Sequence, residues 1–460
     1  MKLEPLKKYQ SKPFAILTPG NRIMEVQTVD GVKVARGKHS IEELFEAMNS
    51  FSFYVLDALD PLIHTTGALS WSLSIWKGRV VRATHVPSGS SVVSLRGTLH
   101  PSNAFEDLDL CLRWLASYGV SAGSIPSMAW GLFRASLSRS YSCGFDAEIG
   151  RAAFYGGRQE IAKAGIYKDM KSIDIKAAYP AAMARPEGYA LSLREVDPST
   201  ELDPNMAGIA EASVFVPHDL PFALLPVRLD KDLISFQRGQ IRGIWPWCEL
   251  AAAARLGAEV EVLRSWAPAR QADLFGPWWP LANEGRNLEG RAGVLAKAIS
   301  NSTWGQFGMA AEDRARRQYV GDDGLAWVDI PLDDHELPHS WTAHVAAETT
   351  GRVRTQMLDA LEETTPAHID TDGIIVSEDS EIPGGGGEAP GEWRVKSTIP
   401  ICDIRGPQLY RWTCPECGHA HEHWHYNASG VPRSEVAEFF NGGPKSKMIN
   451  VSRKFDDGGI

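Results

Sequence analysis

Apolar and polar residues change period several times along this chain, and the changes mark its elements. In the first 150 residues short strand-like runs dominate: residues 53–59 and 70–75 read as strands. The stretch 103–118 switches to helical spacing, with Asn103 placed to cap it. A glycine turn at Phe154, Tyr155, Gly156 and Gly157 follows. The strand 172–176 then runs into Tyr179 and Pro180 and a helix-like 181–184. Residues 245–256 read as a helix closed by Gly257. Leu288, Ala292, Leu295 and Ile299 fall within about 40° of one another on a helical wheel. Arg286, Lys297, Asn301 and Trp304 lie near the opposite side of that wheel, so one element carries a buried face and a chemically equipped one. A helix over 343–362 precedes a strand at 367–369, and Pro383 with four glycines forms a loop tip.

Composition narrows the class. The chain has 460 residues, 47 basic and 57 acidic, a net charge of -10, with 43% hydrophobic and 23% charged residues. That is an ordinary globular composition with room for two to four domains, and it excludes wholesale disorder and fibrous repeats. No apolar run reaches the ~18 residues of a membrane span, and residues 1–8 lack the apolar stretch of a secretion signal. Six cysteines in so long a chain are no disulfide framework, which suits a reducing, cytoplasmic compartment. The acidic balance argues against a nucleic-acid coat, but not against an enzyme with a local basic channel.

Three constellations carry chemistry. Asp174 is embedded in the apolar strand Ile173, Asp174, Ile175. Asp370 and Asp372 stand two residues apart in a tight turn between the apolar runs His368, Ile369 and Ile374, Ile375, Val376. Carboxylates brought together from neighbouring strands are costly unless balanced by cations, and oxygen donors suit hard divalent ions that clamp phosphates. The third is the helix face with Lys297, a point cation for a triphosphate, beside Asn301 and Trp304.

The order Asp174, Tyr179, Pro180, then Lys297, Asn301, Ser302, Trp304, Gly305, then Asp370, Thr371, Asp372 resembles the polymerase core of family-B DNA polymerases, most of all the phage protein-primed branch. Tyr155, Gly156 and Gly157 look like that branch's template-strand motif. Gly391, Glu392 and Trp393, and the run 428–432, are also similar to it. The resemblance covers about residues 105–460. It implies an α+β right hand with an antiparallel palm sheet, helical fingers and a short thumb, preceded by an RNase H-like exonuclease-type domain. The expected divisions are 1–148 exonuclease-like, 149–402 palm with fingers at about 280–308, 403–430 a Cys/His hairpin, and 431–460 a thumb segment.

The resemblance further implies roles. Asp174 and Asp372 would hold two Mg²⁺ ions, which Mn²⁺ can replace, with Asp370 beside them. Lys297 and Arg286 would meet the dNTP, Tyr179 would exclude a 2′-hydroxyl, and Asn301 and Trp304 would line the nucleotide pocket. Tyr155, Gly156, Gly157 and Tyr410 would touch a DNA template-primer, and a terminal protein could prime. No membrane is implied, and a monomer is expected. There are departures: Ala177 and Ala178 replace a Ser-Leu pair, Trp304 a tyrosine and Gly373 a serine, while the Lys-x-Tyr motif reads Gln408, Leu409, Tyr410.

The N-terminal region lacks the Asp-x-Glu of a proofreading site: residues 13–19 hold no acid, and Asp60 and Asp109 would be remnants. Cys414 and Cys417 with His419 and His423 resemble half a zinc ribbon and form a candidate structural Zn²⁺ site; the alternative is a hairpin with reduced thiols. The rivals to a proofreading-deficient phage or mobile-element polymerase are a primase-polymerase, a lesion-bypass enzyme and a metal-dependent glycosyltransferase with an Asp-x-Asp motif. An aspartyl phosphotransferase fits less well, because Ile374 stands where Thr or Val is needed.

Overall fold

The structure is a computed structural model that describes residues 13–19, 23–36, 43, 45, 48, 52–56, 71–76, 79–85, 91–95, 99, 101–137, 147–230, 233–308, 314–319, 327–331, 342–415, 424–428 and 436–441. The chain forms two compact units that interleave in sequence: residues 1–142 with 274–341, and residues 143–273 with 342–460.

In the first unit Phe14–Pro19, Ile23–Thr28 and Gly31–Arg36 form an antiparallel meander. Ser52–Val55 adds parallel to the first strand and Ser91–Ser94 parallel to that. Arg79–His85 and Trp71–Trp76 extend the sheet antiparallel, and Arg314–Tyr319 with Trp327–Pro331 completes nine strands. A meander followed by strands parallel to its first member is the RNase H-like arrangement expected. The strand expected over 53–59 is shorter, Ser52–Val55, and its continuation beyond 56 lies outside the described residues.

Among the described residues this unit contains the helices Ala104–Ala116, Ile125–Ser136, Trp278–Arg286 and Gly290–Phe307. Ala104–Ala116 forms where helical spacing predicts, and Phe14 stacks on Phe105 at 4.6 Å. Asn103 occupies the cap position but makes no side-chain cap bond. The predicted single wheel is two helices, Trp278–Arg286 and Gly290–Phe307. Arg286 therefore sits on the first and Lys297, Asn301 and Trp304 on the second. The break is held from afar: Asp107 Oδ1 accepts from the Arg291 and Ala292 amides at 3.0 and 3.3 Å, a carboxylate at a helix N-terminus. Gly285 packs so tightly that a Cβ there would come within 2.3 Å of the Trp114 ring. The buried stripe is as expected, with Ala292, Leu295 and Ile299 fully buried and Lys297 exposed. The segment expected as fingers thus packs with the N-terminal elements rather than inside a continuous 149–402 domain.

The second unit is built on a seven-stranded sheet in which every neighbouring pair is antiparallel. Its order is Trp424–Ala428, Leu409–Thr413, Trp393–Gly406, Gly165–Ile175, Gly373–Ser377, His368–Thr371, Arg158–Ile161. The boundary expected at 402 falls inside Trp393–Gly406, and the strands flanking the Cys/His segment are the sheet's outer members. A second, four-stranded sheet comprises Tyr189–Val196, Glu259–Ala272, Ile209–Val216 and Gly239–Pro246. The helix Trp247–Arg255 ends with Gly257 at φ +99, and the Ala258 amide bonds back to Ala253, the closure its sequence predicts.

The helix Ala343–Glu363 packs against Ala147–Ala152, Ala178–Met183 and Trp247–Arg255. Arg354 forks onto Glu249 at 2.8 and 2.7 Å and also donates to the Tyr155 and Gly156 carbonyls at 2.7 Å each. The loop tip at Pro383 is a short 3-10 turn tethered by the Gly384 amide to Glu363 at 3.0 Å. Of the expected thumb only Val436–Phe440 and Asn441 are described.

Candidate active site

Strand register places the acids. Gln159, Asp370, Gly373, Asp174 and Arg394 are successive partners across five strands of the large sheet. Directly opposed residues on antiparallel strands share a face, so these five residues form one row with four side chains. Gln159 Nε2 donates to Asp370 Oδ1 at 3.4 Å, and Asn427 Nδ2, from the outermost strand, reaches Asp370 Oδ2 at 3.4 Å. Gly373 sits in the row between the two acids. A Cβ there would lie 3.5 Å from the Asp174 Cβ and 3.3 Å from the Ile173 carbonyl. The departure from serine thus leaves the space between the carboxylates clear.

Asp372 comes from the two-residue turn that links Asp370 to Gly373 within the row. Thr371 has φ +64, unusual for a β-branched residue, and the Asp372 amide bonds to the Asp370 carbonyl at 2.7 Å. Such a turn stores on the order of 1–3 kcal/mol of strain and is kept only where its surroundings impose it. They do: the Ile175 amide donates to the Asp372 carbonyl at 2.9 Å, and Gln159 Nε2 lies 3.4 Å from Thr371 Oγ1. Gly157 backs the turn so closely that a Cβ on it would meet Thr371 Cγ2 at 2.5 Å. The glycine motif at 156–157 and the acid turn are therefore one packed unit, with Arg354 holding the carbonyls of its other end.

Burial raises the Asp372 carboxyl from 3.8 to about 6, and repulsion by Asp174 and Asp370 adds to the rise, against the pull of Lys396. The site is short of positive charge. Asp174 is the acid with close cations: Arg394 Nε at 3.1 Å from Oδ1 and Lys396 Nζ at 3.6 Å from Oδ2. Among the described residues no group of three or more His, Cys, Asp or Glu is set to hold a metal ion. The donor set nevertheless suits a hard divalent ion: carboxylate oxygens only, excess negative charge, and a glycine between the two acids of the row.

Tyr179 lies on the helix Ala178–Met183, which starts three residues earlier than predicted because Ala177 adopts a left-handed conformation, φ 52, after the strand. Burial raises its hydroxyl well above its ordinary value, and the charge of Asp372 adds to this, so the phenol stays neutral beside the acids. Tyr410 packs against His368 with ring centroids 4.4 Å apart and the planes tilted by 54°, and its hydroxyl is pushed up to about 12 by burial. Burial keeps His368 neutral, and its Nε2–H donates to the Pro407 carbonyl at 2.5 Å. Tyr155 is buried, its hydroxyl also raised to about 12 by burial.

In the first unit Arg286 Nη1 donates to Asn301 Oδ1 at 3.1 Å, which joins two of the expected nucleotide-side residues across the helix break. Trp304 is half-buried. Cys414 ends the strand Leu409–Thr413, whereas Cys417, His419 and His423 lie outside the described residues, as does Asp60. Asp109 is described and pairs with Arg113 at 2.7 Å. The sequence pattern missed Gln159, Asn427, Arg354, Glu249, Arg394 and Lys396. A usable signal existed only for the last pair, two cations alternating in the run Arg394, Val395, Lys396.

Residues 122–329 match the family described as DNA polymerase type B, organellar and viral. No curated protein matches the chain. Among solved structures, Phi29 DNA polymerase complexed with primer-template DNA and incoming nucleotide substrates shares 11% identity at a TM-score of 0.69. The alignment covers 94% of each chain. The orthorhombic crystal form of that polymerase shares 12% at 0.70, over 93% of this chain and 95% of the other. Its complex with single-stranded DNA shares 12% at 0.66, over 93% and 94%. At such identities the likeness is one of fold. The family match thus spans less than half of the chain, while the fold of the solved polymerases extends over almost all of it.

Proposed function

We propose that this chain is a family-B DNA polymerase of the organellar and viral type, a DNA-directed nucleotidyltransferase that extends a 3′-hydroxyl with dNTPs on a DNA template by a two-cation reaction, and that it does not proofread. The observation that carries the first part is the row Asp370, Gly373, Asp174 with Asp372 in the turn between its first two members. Asp174 and Asp372 would hold Mg²⁺, or Mn²⁺ in its place, with Asp370 kept in place by Gln159 and Asn427. Divalent ions held there would lower the pKa of a primer hydroxyl and stabilise the leaving pyrophosphate. Tyr179 presents a neutral buried ring directly after the acid-bearing strand and would exclude a 2′-hydroxyl by contact. Lys297 and Arg286 would bind the triphosphate, Asn301 and Trp304 the sugar and base. Tyr155, Gly156 and Gly157 would track the template strand, and Tyr410 the primer.

Loss of proofreading is supported by the first strand of the N-terminal sheet. Phe14–Pro19 carries no acid, and Asp109 is engaged by Arg113. A site without its first two carboxylates holds cations poorly, and small misplacements cost about a hundredfold in rate. An end-labelled, mismatched primer incubated with Mg²⁺ and no nucleotide should release no mononucleotide.

The setting we infer is phage or mobile-element replication in a host cytoplasm, by a monomer, with DNA or a terminal protein as primer. No helix among the described residues is long and apolar enough to cross a membrane. A structural Zn²⁺ at Cys414, Cys417, His419 and His423 would be read by elemental analysis, with less than about one zinc per ten chains counting against it. The decisive experiment is primer extension on primed and unprimed templates with dNTPs or NTPs. Template-directed dNTP addition to the primed template is expected. Synthesis on the unprimed template would turn the assignment toward a primase-polymerase.

A further inference from the structure

The strand Trp393–Gly406 does not run in constant register beside the strand bearing Asp174. Arg394 opposes Asp174 and Val395 opposes Ile173, but the next pair is Ser397 with Ser172, so Lys396 is an extra residue. This is a β-bulge, which bends one strand and re-aims a side chain. Here it supplies a second cation. Arg394 donates from Nε to Asp174 Oδ1, and the Lys396 ammonium stands at the other oxygen, Oδ2. Both oxygens of one carboxylate thus face cations from a single strand. The competing acid, Glu388, is 4.0 Å from Arg394 and 76% exposed, too solvated to draw it away. Asp174 itself is only 18% exposed, so its charge has little solvent to balance it.

We propose that Arg394 and Lys396 are internal counter-ions of the acid site: they compete with a divalent cation for Asp174 and thereby set the affinity of the polymerase for that cation. The inference rests on Asp174 and Asp372 being the cation-holding acids. Two positive charges within 4 Å of a carboxylate oppose the arrival of a third, because the ion must displace them and also enter their field. They make the isolated acids tolerable, and they make a free ion bind weakly. An ion that arrives with a triphosphate is less affected, since phosphate oxygens supply the rest of its coordination. Arg394 and Lys396 act through Asp174 and are positioning residues.

The test is Mn²⁺ binding by titration calorimetry, at pH 7.5 and without nucleotide, to the full chain and to Lys396→Gln, Arg394→Gln, the double variant, Lys396→Arg and Asp372→Asn. Lys396 is 63% exposed, so its replacement leaves the core untouched. Each single neutral variant should bind Mn²⁺ roughly fivefold more tightly, and the double variant on the order of twentyfold. Lys396→Arg should keep wild-type affinity, a rescue that a purely packing role would not produce. Mn²⁺ binding that Asp372→Asn abolishes in the wild type, but that Lys396→Gln and Arg394→Gln leave unchanged or weaken, overturns the counter-ion role. Mn²⁺ binding indifferent to Asp372→Asn removes the acid assignment beneath it, and the inference with it.

Discussion

Asp372→Asn should stabilise the cation-free protein while abolishing its activity. In the folded chain the Asp372 carboxyl rises from 3.8 to about 6, chiefly through burial and then through Asp174. A raised acid is held protonated more firmly in the folded state than in the unfolded one, so its ionisation works against folding. The sign follows: below about pH 4 both states are protonated and there is no penalty. Between about 4 and 6 stability falls as pH rises, and above 6 the penalty is complete. At about 1.4 kcal/mol per pKa unit the rise corresponds to roughly 3 kcal/mol, and partial solvent access reduces this to about 1.5–2. Asparagine keeps the shape and removes the charge. In EDTA at pH 7.5 it should raise the melting temperature by about 3–8 °C, by the usual relation for units of this size. The gain should shrink to about a third of that near pH 4.5, and added Mg²⁺ should stabilise the wild type alone. Template-directed incorporation should drop at least about a thousandfold, a loss of some 4 kcal/mol of transition-state stabilisation. A variant no more stable than wild type in EDTA, or one whose gain is unchanged at pH 4.5, would refute the electrostatic reasoning. Full incorporation by it would refute the role of the acid.

Three further outcomes are expected. Gly157→Ala puts a Cβ within 2.5 Å of Thr371 Cγ2 and 3.0 Å of its Cβ. It should cost about 1–3 kcal/mol in urea unfolding, and Thr371→Gly should restore most of that; a single variant as stable as wild type would disprove the contact. Arg354→Met strands the buried Glu249 and two carbonyls, and should cost about 3–5 kcal/mol, so a loss under 1 kcal/mol would show that the clasp is not what holds the turn. Tyr179→Val should raise the kcat/KM for ribonucleotides relative to deoxyribonucleotides, and an unmoved ratio would place sugar selection elsewhere.

Much of the acid site was legible because its signal is local. An acid in an apolar strand, and two acids two apart between apolar runs, need only period-two alternation to be read. The row that organises them was not legible. Gln159, Asn427 and Arg394 meet the acids through strand pairings far apart in sequence, and nothing in their neighbourhoods fixes register. The bulge at Lys396 shifts one residue without any glycine to announce it. Helix ends failed for a related reason. Asn103 has the chemistry of a cap and makes no cap bond, while Asp107 caps a helix that begins at Gly290. Arg286 and Lys297 fit one wheel on paper because a continuous wheel takes no account of a break imposed by a distant carboxylate.

The interleaving of the two units bears on how the protein is made. A ribosome releases residues 1–142 without the helices and outer strands that finish their unit, then releases half of the other unit before supplying them. Neither body is complete until residue 341 has emerged, and Asp174 must wait for residues 368–394 before its sheet neighbours exist. Nascent segments with open sheet edges are exposed meanwhile, at synthesis rates of about 5–20 residues per second. Closing such long excursions costs little at equilibrium, since loop entropy grows only with the logarithm of length. The burden is kinetic: the intermediates persist for seconds, so solubility during synthesis, rather than final stability, is where this topology is exposed.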